Sequence, residues 1–146
     1  MRKAVLVVED NEADVELLRH FLRLGPESPE FVVAGDGVEA LQMLRGEAPF
    51  AAPLRPMLIL LDLNLPRKDG REVLAELKQD PKLRQIPVVV LSTSDAALDI
   101  SRAYALNANC YLQKPADLDE FERTVRGIED FWLGLAKLPS PVFTPG

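Results

Sequence analysis

Four short polar stretches, each placed directly after an apolar run, hold the residue types that could do chemistry. Glu9-Asp10 follows Ala4–Val8, Asp62-Leu63-Asn64 follows 57–61, Ser92-Thr93-Ser94 follows 88–91, and Gln113-Lys114-Pro115 follows 110–112. If the first two stretches lie side by side, Glu9, Asp10 and Asp62 form a carboxylate cluster. Such a cluster repels itself and is costly to desolvate unless a cation neutralises it. A hard divalent ion with oxygen ligands, most naturally Mg²⁺, meets that requirement. Asp10 and Asp62 would bind through side-chain oxygens, Asn64 through its backbone carbonyl and Glu9 through a water that the ion retains. A phosphoryl group carried on Asp62 would need the metal on one oxygen and donors on the others, which Lys114 and Ser92 supply. Such transfers rest on positioning and charge neutralisation, so no base or nucleophile besides Asp62 is required.

The elements that must position these residues are legible from hydrophobic pattern. Five apolar segments, Ala4–Val8, 31–33, 57–61, 88–91 and 110–112, alternate with stretches of helical period. This βαβα order predicts a parallel sheet with helices on both faces. The first, third and fourth runs contain no polar residue, as expected of strands buried on both sides, whereas the second and fifth are short. The expectation is therefore a doubly wound, five-stranded parallel sheet of order 2-1-3-4-5, flavodoxin-like, with its site beyond the carboxyl ends of strands 1 and 3 at the switch point. Leu18, Phe21, Leu22 and Gly25 mark the first helix, Val38, Leu41 and Leu44 the second, and Val73, Leu74 and Leu77 the third. Asn11 and Asp95 are the expected N-caps of helices 1 and 4, and Pro81 and Pro87 punctuate the connection into strand 4. The proline-rich stretch 46–56 reads as a structural loop at the opposite end of the sheet.

Composition bounds the function classes. A chain of 146 residues, 47% hydrophobic and 27% charged, suits one globular core. Its net charge of −6, without a large Lys/Arg cluster, argues against binding a nucleic-acid backbone. Cys110 is the sole cysteine, so neither an internal disulfide nor a cysteine zinc site is available. The N-terminal apolar run is far too short for a signal peptide core or a membrane span, which makes the cytoplasm the expected location.

In order along the chain, V-L-V-V-E-D-N at 5–11, L-I-L-L-D-L-N-L-P-R-K-D-G at 58–70, P-V-V-V-L-S-T-S at 87–94 and Y-L-Q-K-P at 111–115 resemble the receiver domain of bacterial two-component response regulators. The resemblance runs from about Lys3 to about Gly127. It implies transfer of a phosphoryl group to Asp62 from a histidine-kinase phosphohistidine or a small phosphodonor, assisted by Mg²⁺. Such a chain is a phosphoacceptor signalling protein rather than an enzyme acting on external substrates. The resemblance also casts Ser92 and Tyr111 as a switch pair, with the Tyr111 ring following the hydroxyl inward, and gives Asn64 and Ser94 control over the hydrolytic water.

The last part of the chain reads differently. Leu118, Phe121, Val125, Ile128, Trp132 and Leu135 keep helical spacing, and a helix from Ala116 to Lys137 would be about 33 Å long against roughly 17–20 Å for a strand. Its end should overhang the sheet and present Phe131, Trp132, Leu133 and Leu135 for a homodimer or kinase contact. Residues 1–128 are thus the expected receiver domain and 129–146 a contact extension, with Phe143 of the proline-rich tail a candidate arm. The F-W-L-x-L-x-K-L-P ending and L-S-T-S stretch are similar to the single-domain regulators associated with phytochromes, which implies a light-sensing histidine kinase as partner.

Blander alternatives exist for several of these residues. Single surface acids usually only solvate a face, Lys114 could be a loop lysine, Tyr111 a core aromatic, Gly70 a mere backbone accommodation before helix 3, and His20 a surface residue. The joint placement at strand ends favours a site. Two other functions compete. An aspartyl phosphatase of the haloacid-dehalogenase kind would use D-x-D, but here the second acid is Asn64. A flavin binder would set its phosphates against Glu9, Asp10 and Asp62 with no glycine-rich loop after strand 1.

Overall fold

The computed structural model describes residues 3–22 and 29–139. Five parallel strands, β1 (Ala4–Val8), β2 (Glu30–Ala34), β3 (Leu58–Leu61), β4 (Val88–Ser92) and β5 (Cys110–Gln113), form one sheet in the order β2-β1-β3-β4-β5. Every residue of β1, β3 and β4 is buried, as continuous Val/Leu/Ile runs require when helices cover both faces. The edge strands β2 and β5 are half-exposed, in keeping with their shorter apolar runs. Met57, read from sequence as the start of strand 3, lies just before β3, where its N–H donates to the Ala4 carbonyl at 2.7 Å.

Strand alternation divides the core in two. Val5, Val7, Leu58, Leu60, Val89 and Leu91 pack under α1 (Glu12–Phe21) and α5 (Leu118–Asp130) through Leu18, Phe21, Phe121, Val125 and Ile128. Leu6, Val8, Ile59, Leu61, Val88 and Val90 point the other way, under α2 (Gly37–Arg45), α3 (Gly70–Gln79) and α4 (Ala97–Ala105). Burying each such side chain contributes about 1.5–3 kcal/mol, enough in sum to hold the strand ends in fixed register.

The helix starts correct some expectations. Asn11 caps α1 as predicted, its side chain accepting from the Asp14 N–H at 3.1 Å. The marker Gly25 lies outside the described residues. At α4 the N-cap is Ala96 rather than Asp95, with no side-chain cap bond of its own. Ser94 takes over part of that task, its hydroxyl accepting from the Ala96 N–H at 3.2 Å. Gly70 opens α3 hard against the end of β3: a Cβ there would stand 2.3 Å from the Asp62 carbonyl oxygen. Close backbone approach, not an unusual φ, is what demands glycine at this position.

The C-terminal helix departs most from the sequence reading. It begins at Leu118 behind the N-cap Asp117, later than Ala116, and Leu118 is 56% exposed instead of joining the buried face. After Asp130 the chain does not continue with α period but enters a π-helical turn, Phe131–Leu135, closed by the Ala136 N–H on the Phe131 carbonyl at 2.7 Å. This i→i+5 bond widens the turn and changes which residues share a face. Trp132 and Leu133 pack against the α1/α5 core, whereas Phe131 and Leu135 are exposed.

Candidate functional site

Register brings the predicted residues together. Val8 pairs with both Ala34 and Leu61, so Glu9 and Asp62 leave adjacent strands at the same level. The Glu9 N–H donates to the Ala34 carbonyl at 3.0 Å and the Asp62 N–H to the Val8 carbonyl at 3.0 Å, extending the ladder one residue past the strands. Ser92 pairs with Gln113 across β4 and β5, and the Lys114 N–H donates to the Ser92 carbonyl at 2.6 Å. All four chemical stretches therefore meet at the carboxyl ends of the strands, at the switch point between β1 and β3, where open α/β sheets place their ligands.

The resulting cleft has a volume of about 670 Å³, and Glu9, Asp10, Asp62, Asn64 and Lys114 are among the residues lining it. Carboxylate oxygens of Glu9, Asp10 and Asp62 lie within 4.8 Å of one another, with Glu9 and Asp62 buried and Asp10 exposed. This oxygen-only set suits a hard divalent cation, and the exposure of Asp10 leaves room for the waters such ions retain. Asn64 is exposed on the turn after β3, and its N–H donates to Asp62 Oδ1 at 3.3 Å.

Lys114 is the cation these carboxylates already have. Its Nζ donates to Glu9 Oε2 at 2.6 Å and Asp14 Oδ2 at 2.9 Å, and it stands 3.6 Å from Asp62 Oδ2. Burial alone would lower its pKa, but the bonds to Glu9 and Asp14 and the charge of Asp62 outweigh that and raise it. Burial also pushes the Glu9 carboxyl up to about 7, reinforced by the Asp62 charge and opposed by the Lys114 ammonium and the Asn11 N–H. A divalent ion entering the cluster would compete with the Lys114 ammonium for the same oxygens.

Ser92 is fully buried, and its hydroxyl accepts from the Ser94 N–H at 3.2 Å. Tyr111 is half-buried against the α2/α3/α4 core, and its hydroxyl donates to the Ser94 carbonyl at 2.9 Å. Both members of the expected switch pair thus touch Ser94. The Ser94 hydroxyl itself donates to Asp99 Oδ2 at 2.6 Å.

Sequence reading missed two residues here. Asp14 lies in the first turn of α1 yet binds Lys114 from 100 positions away, and Thr93 lines the cleft beside the buried Ser92. The available signal for Asp14 was its place in the first turn of a helix that starts at the site end of the sheet. Elsewhere, His20 is exposed on α1, in edge contact with Phe21 at 5.3 Å, and Cys110 is half-buried against the α1/α5 core. Phe143 lies outside the described residues.

A doubly wound parallel sheet with an acidic, lysine-countered cleft at its switch point defines a class of small α/β proteins with their ligand site at the strand ends. Residues 5–126 match the family described as the response regulator receiver domain, and the chain belongs to that family. It is 46% identical over 138 residues to response regulator Rcp1 of Synechocystis sp., covering 94% of each protein. Among solved structures it is similar to the phosphorylated cyanobacterial phytochrome response regulator RcpA, with a TM-score of 0.91 and 52% identity over 96% of this chain and 100% of that one. The Mn²⁺-bound form of Rcp1 superposes with a TM-score of 0.90 at 46% identity, over 94% of this chain and 99% of that one. Among the described residues no helix is long and apolar enough to cross a membrane.

Proposed function

We propose that this protein accepts a phosphoryl group on Asp62 from a histidine kinase in a Mg²⁺-dependent reaction, and that phosphorylation switches its contacts with partners. The observation that carries the reading is the position of Asp62: a buried carboxylate within ion-sharing distance of Glu9 and Asp10 and 3.6 Å from the Lys114 ammonium. An Asp62 oxygen would form the new O–P bond as the N–P bond of the phosphohistidine breaks. Glu9, Asp10, Asp62 and the Asn64 carbonyl would hold Mg²⁺, which supplies charge neutralisation for the transferring group. Lys114, released from Glu9 and Asp14, would bind one phosphoryl oxygen and the Ser92 hydroxyl another, with Tyr111 following. Self-phosphorylation from small phosphodonors and loss of the phosphoryl group by autodephosphorylation are the only reactions assigned to the chain itself.

The similarity to RcpA, a phytochrome response regulator, supports a phytochrome-type kinase as the donor, and in this reading the protein works in the cytoplasm. Residues 1–128 act as the receiver and 129–146 as the contact extension in this reading. A groove of about 580 Å³ between β5 and the C-terminal helix is lined in part by Cys110, Leu112, Ile128, Phe131 and Trp132, and Leu135 is 77% exposed beyond it. This apolar surface supports a homodimer contact, to which Phe143 would add from the tail. A single monomeric species by light scattering, before and after phosphorylation, would remove the dimer from the proposal.

Incubation with Mg²⁺ and an acyl phosphate, followed by intact mass measurement, tests the central claim. One added phosphoryl group is expected on the wild type and none on Asp62→Asn; equal labelling of the two, or none on either, overturns it.

A further inference from the structure

Three carboxylates surround the Lys114 ammonium, and they are not equivalent. Nζ donates to Glu9 Oε2 at 2.6 Å and to Asp14 Oδ2 at 2.9 Å, and stands 3.6 Å from Asp62 Oδ2. Glu9 and Asp62 share the oxygen cluster with Asp10, whereas Asp14 stands outside it. Asp14 is thus the one acidic neighbour of Lys114 that a cation in the cluster would leave untouched. The ammonium needs such a neighbour. Its side chain is 5% exposed, and a buried charge deprived of its partners is strongly destabilising.

The start of α1 fixes Asp14 at this spot. The Asp14 N–H donates to Asn11 Oδ1 at 3.1 Å, and the Asn11 N–H donates to Glu9 Oε1 at 3.1 Å, so the helix cap ties the Asp14 backbone to the end of β1. The other Glu9 oxygen and Asp14 Oδ2 then meet on the same ammonium. The Asp14 side chain is 24% exposed against 3% for Glu9. Water can therefore take over the Asp14 bond when Lys114 leaves for a phosphoryl oxygen, and holding the lysine here does not trap it.

We infer that Asp14 is a positioning residue that keeps Lys114 paired while a divalent ion occupies the cluster of Glu9, Asp10 and Asp62, and that it thereby strengthens binding of the ion. The inference rests on the reading of that cluster as the Mg²⁺ site. Without Asp14 the ammonium has only Glu9 and Asp62 to hold, and an ion that takes their oxygens must orphan it.

Titration with Mn²⁺ followed by electron paramagnetic resonance, with Mg²⁺ read by competition, tests this using the ions alone. Asp14→Asn should weaken binding of both ions about 5- to 20-fold, the range for losing a hydrogen bond between charged groups. Asp14→Glu, which keeps the charge and can reach the ammonium, should recover most of the loss. Glu12→Gln removes an exposed charge from the same cleft wall and should change affinity less than about 2-fold, because solvent screens it. In a Lys114→Met background Asp14→Asn should have no further effect beyond that of Glu12→Gln, since the group it serves is gone. If Lys114→Met does not fold, recovery by Asp14→Glu decides in its place. Wild-type affinity in Asp14→Asn, an equal loss in Glu12→Gln, or an undiminished loss in the Lys114→Met background overturns the positioning role and leaves the metal site standing. Failure of the wild type to bind either ion overturns the metal site and the inference with it.

Discussion

Two lysines, one at each end of the sheet, are held by side-chain bonds of opposite kind. At the carboxyl end Lys114 faces Glu9, Asp14 and Asp62, and its pKa is raised. At the amino end Lys78 donates to the Arg84 and Ile86 carbonyls and to Asn109 Oδ1, at 3.0, 2.9 and 2.9 Å. All three acceptors are neutral, and burial lowers the Lys78 pKa to about 8. The lesson is in the surplus. Lys78 closes a loop with its three donors on neutral acceptors and offers a cation no free carboxylate, whereas the carboxylates around Lys114 outnumber it and invite a second cation. A strand end with more carboxylates than cations is an end that awaits a cation.

The strongest way to break this contrast is to remove each ammonium in turn. Lys114→Met should cost about 3–5 kcal/mol in the absence of divalent ions, the range for orphaning buried charge partners. Mg²⁺ should restore a large part of that loss, because it neutralises the same oxygens; denaturant melts with and without the ion would show it. Lys78→Met should cost less, about 1–3 kcal/mol from unpaired carbonyls, and Mg²⁺ should not change the loss. Equal metal dependence of the two variants would abolish the distinction.

The smallest effect sharpens the comparison through pH. Lys78 titrates near 8 when folded and near 10.5 when unfolded, so between those values the unfolded chain holds more protons and stability rises with pH. For Lys114 the folded pKa lies above the unfolded one, so its contribution is complete below the unfolded value and is lost as pH rises through the folded one. Relative to wild type, Lys78→Met should thus become progressively more costly above pH 8, and Lys114→Met less costly at still higher pH. Urea midpoints across that range test both slopes.

How much of this was legible in the sequence depends on how local the cause is. The apolar runs of β1, β3 and β4 specify strands because every position faces a helix layer, and their first polar residues, Glu9, Asp62 and Ser92, then mark the site. At β5 the first polar residue is Gln113, and Lys114 was singled out one position later by its charge. Asp14 was not, since a first-turn acid serves its helix equally well whether or not a lysine from β5 reaches it. The N-cap of α4 was misplaced because Ser94 supplies from outside the helix what Asp95 was expected to supply within it. The C-terminal helix misled for a third reason: periodicity presumes a constant number of residues per turn, and the turn at Phe131–Leu135 breaks that presumption.

That wide turn acts on the chain as a phase shifter. One residue more or fewer rotates everything after it by about 100° around the helix axis. Deleting a single residue within 131–135 would therefore rotate the remaining side chains of the turn by about 100° and change which of them meet the core. Because Ala136 is extended and ends the helix, the offset is felt by the turn itself, where it decides that Trp132 and Leu133 meet the core while Phe131 and Leu135 meet solvent.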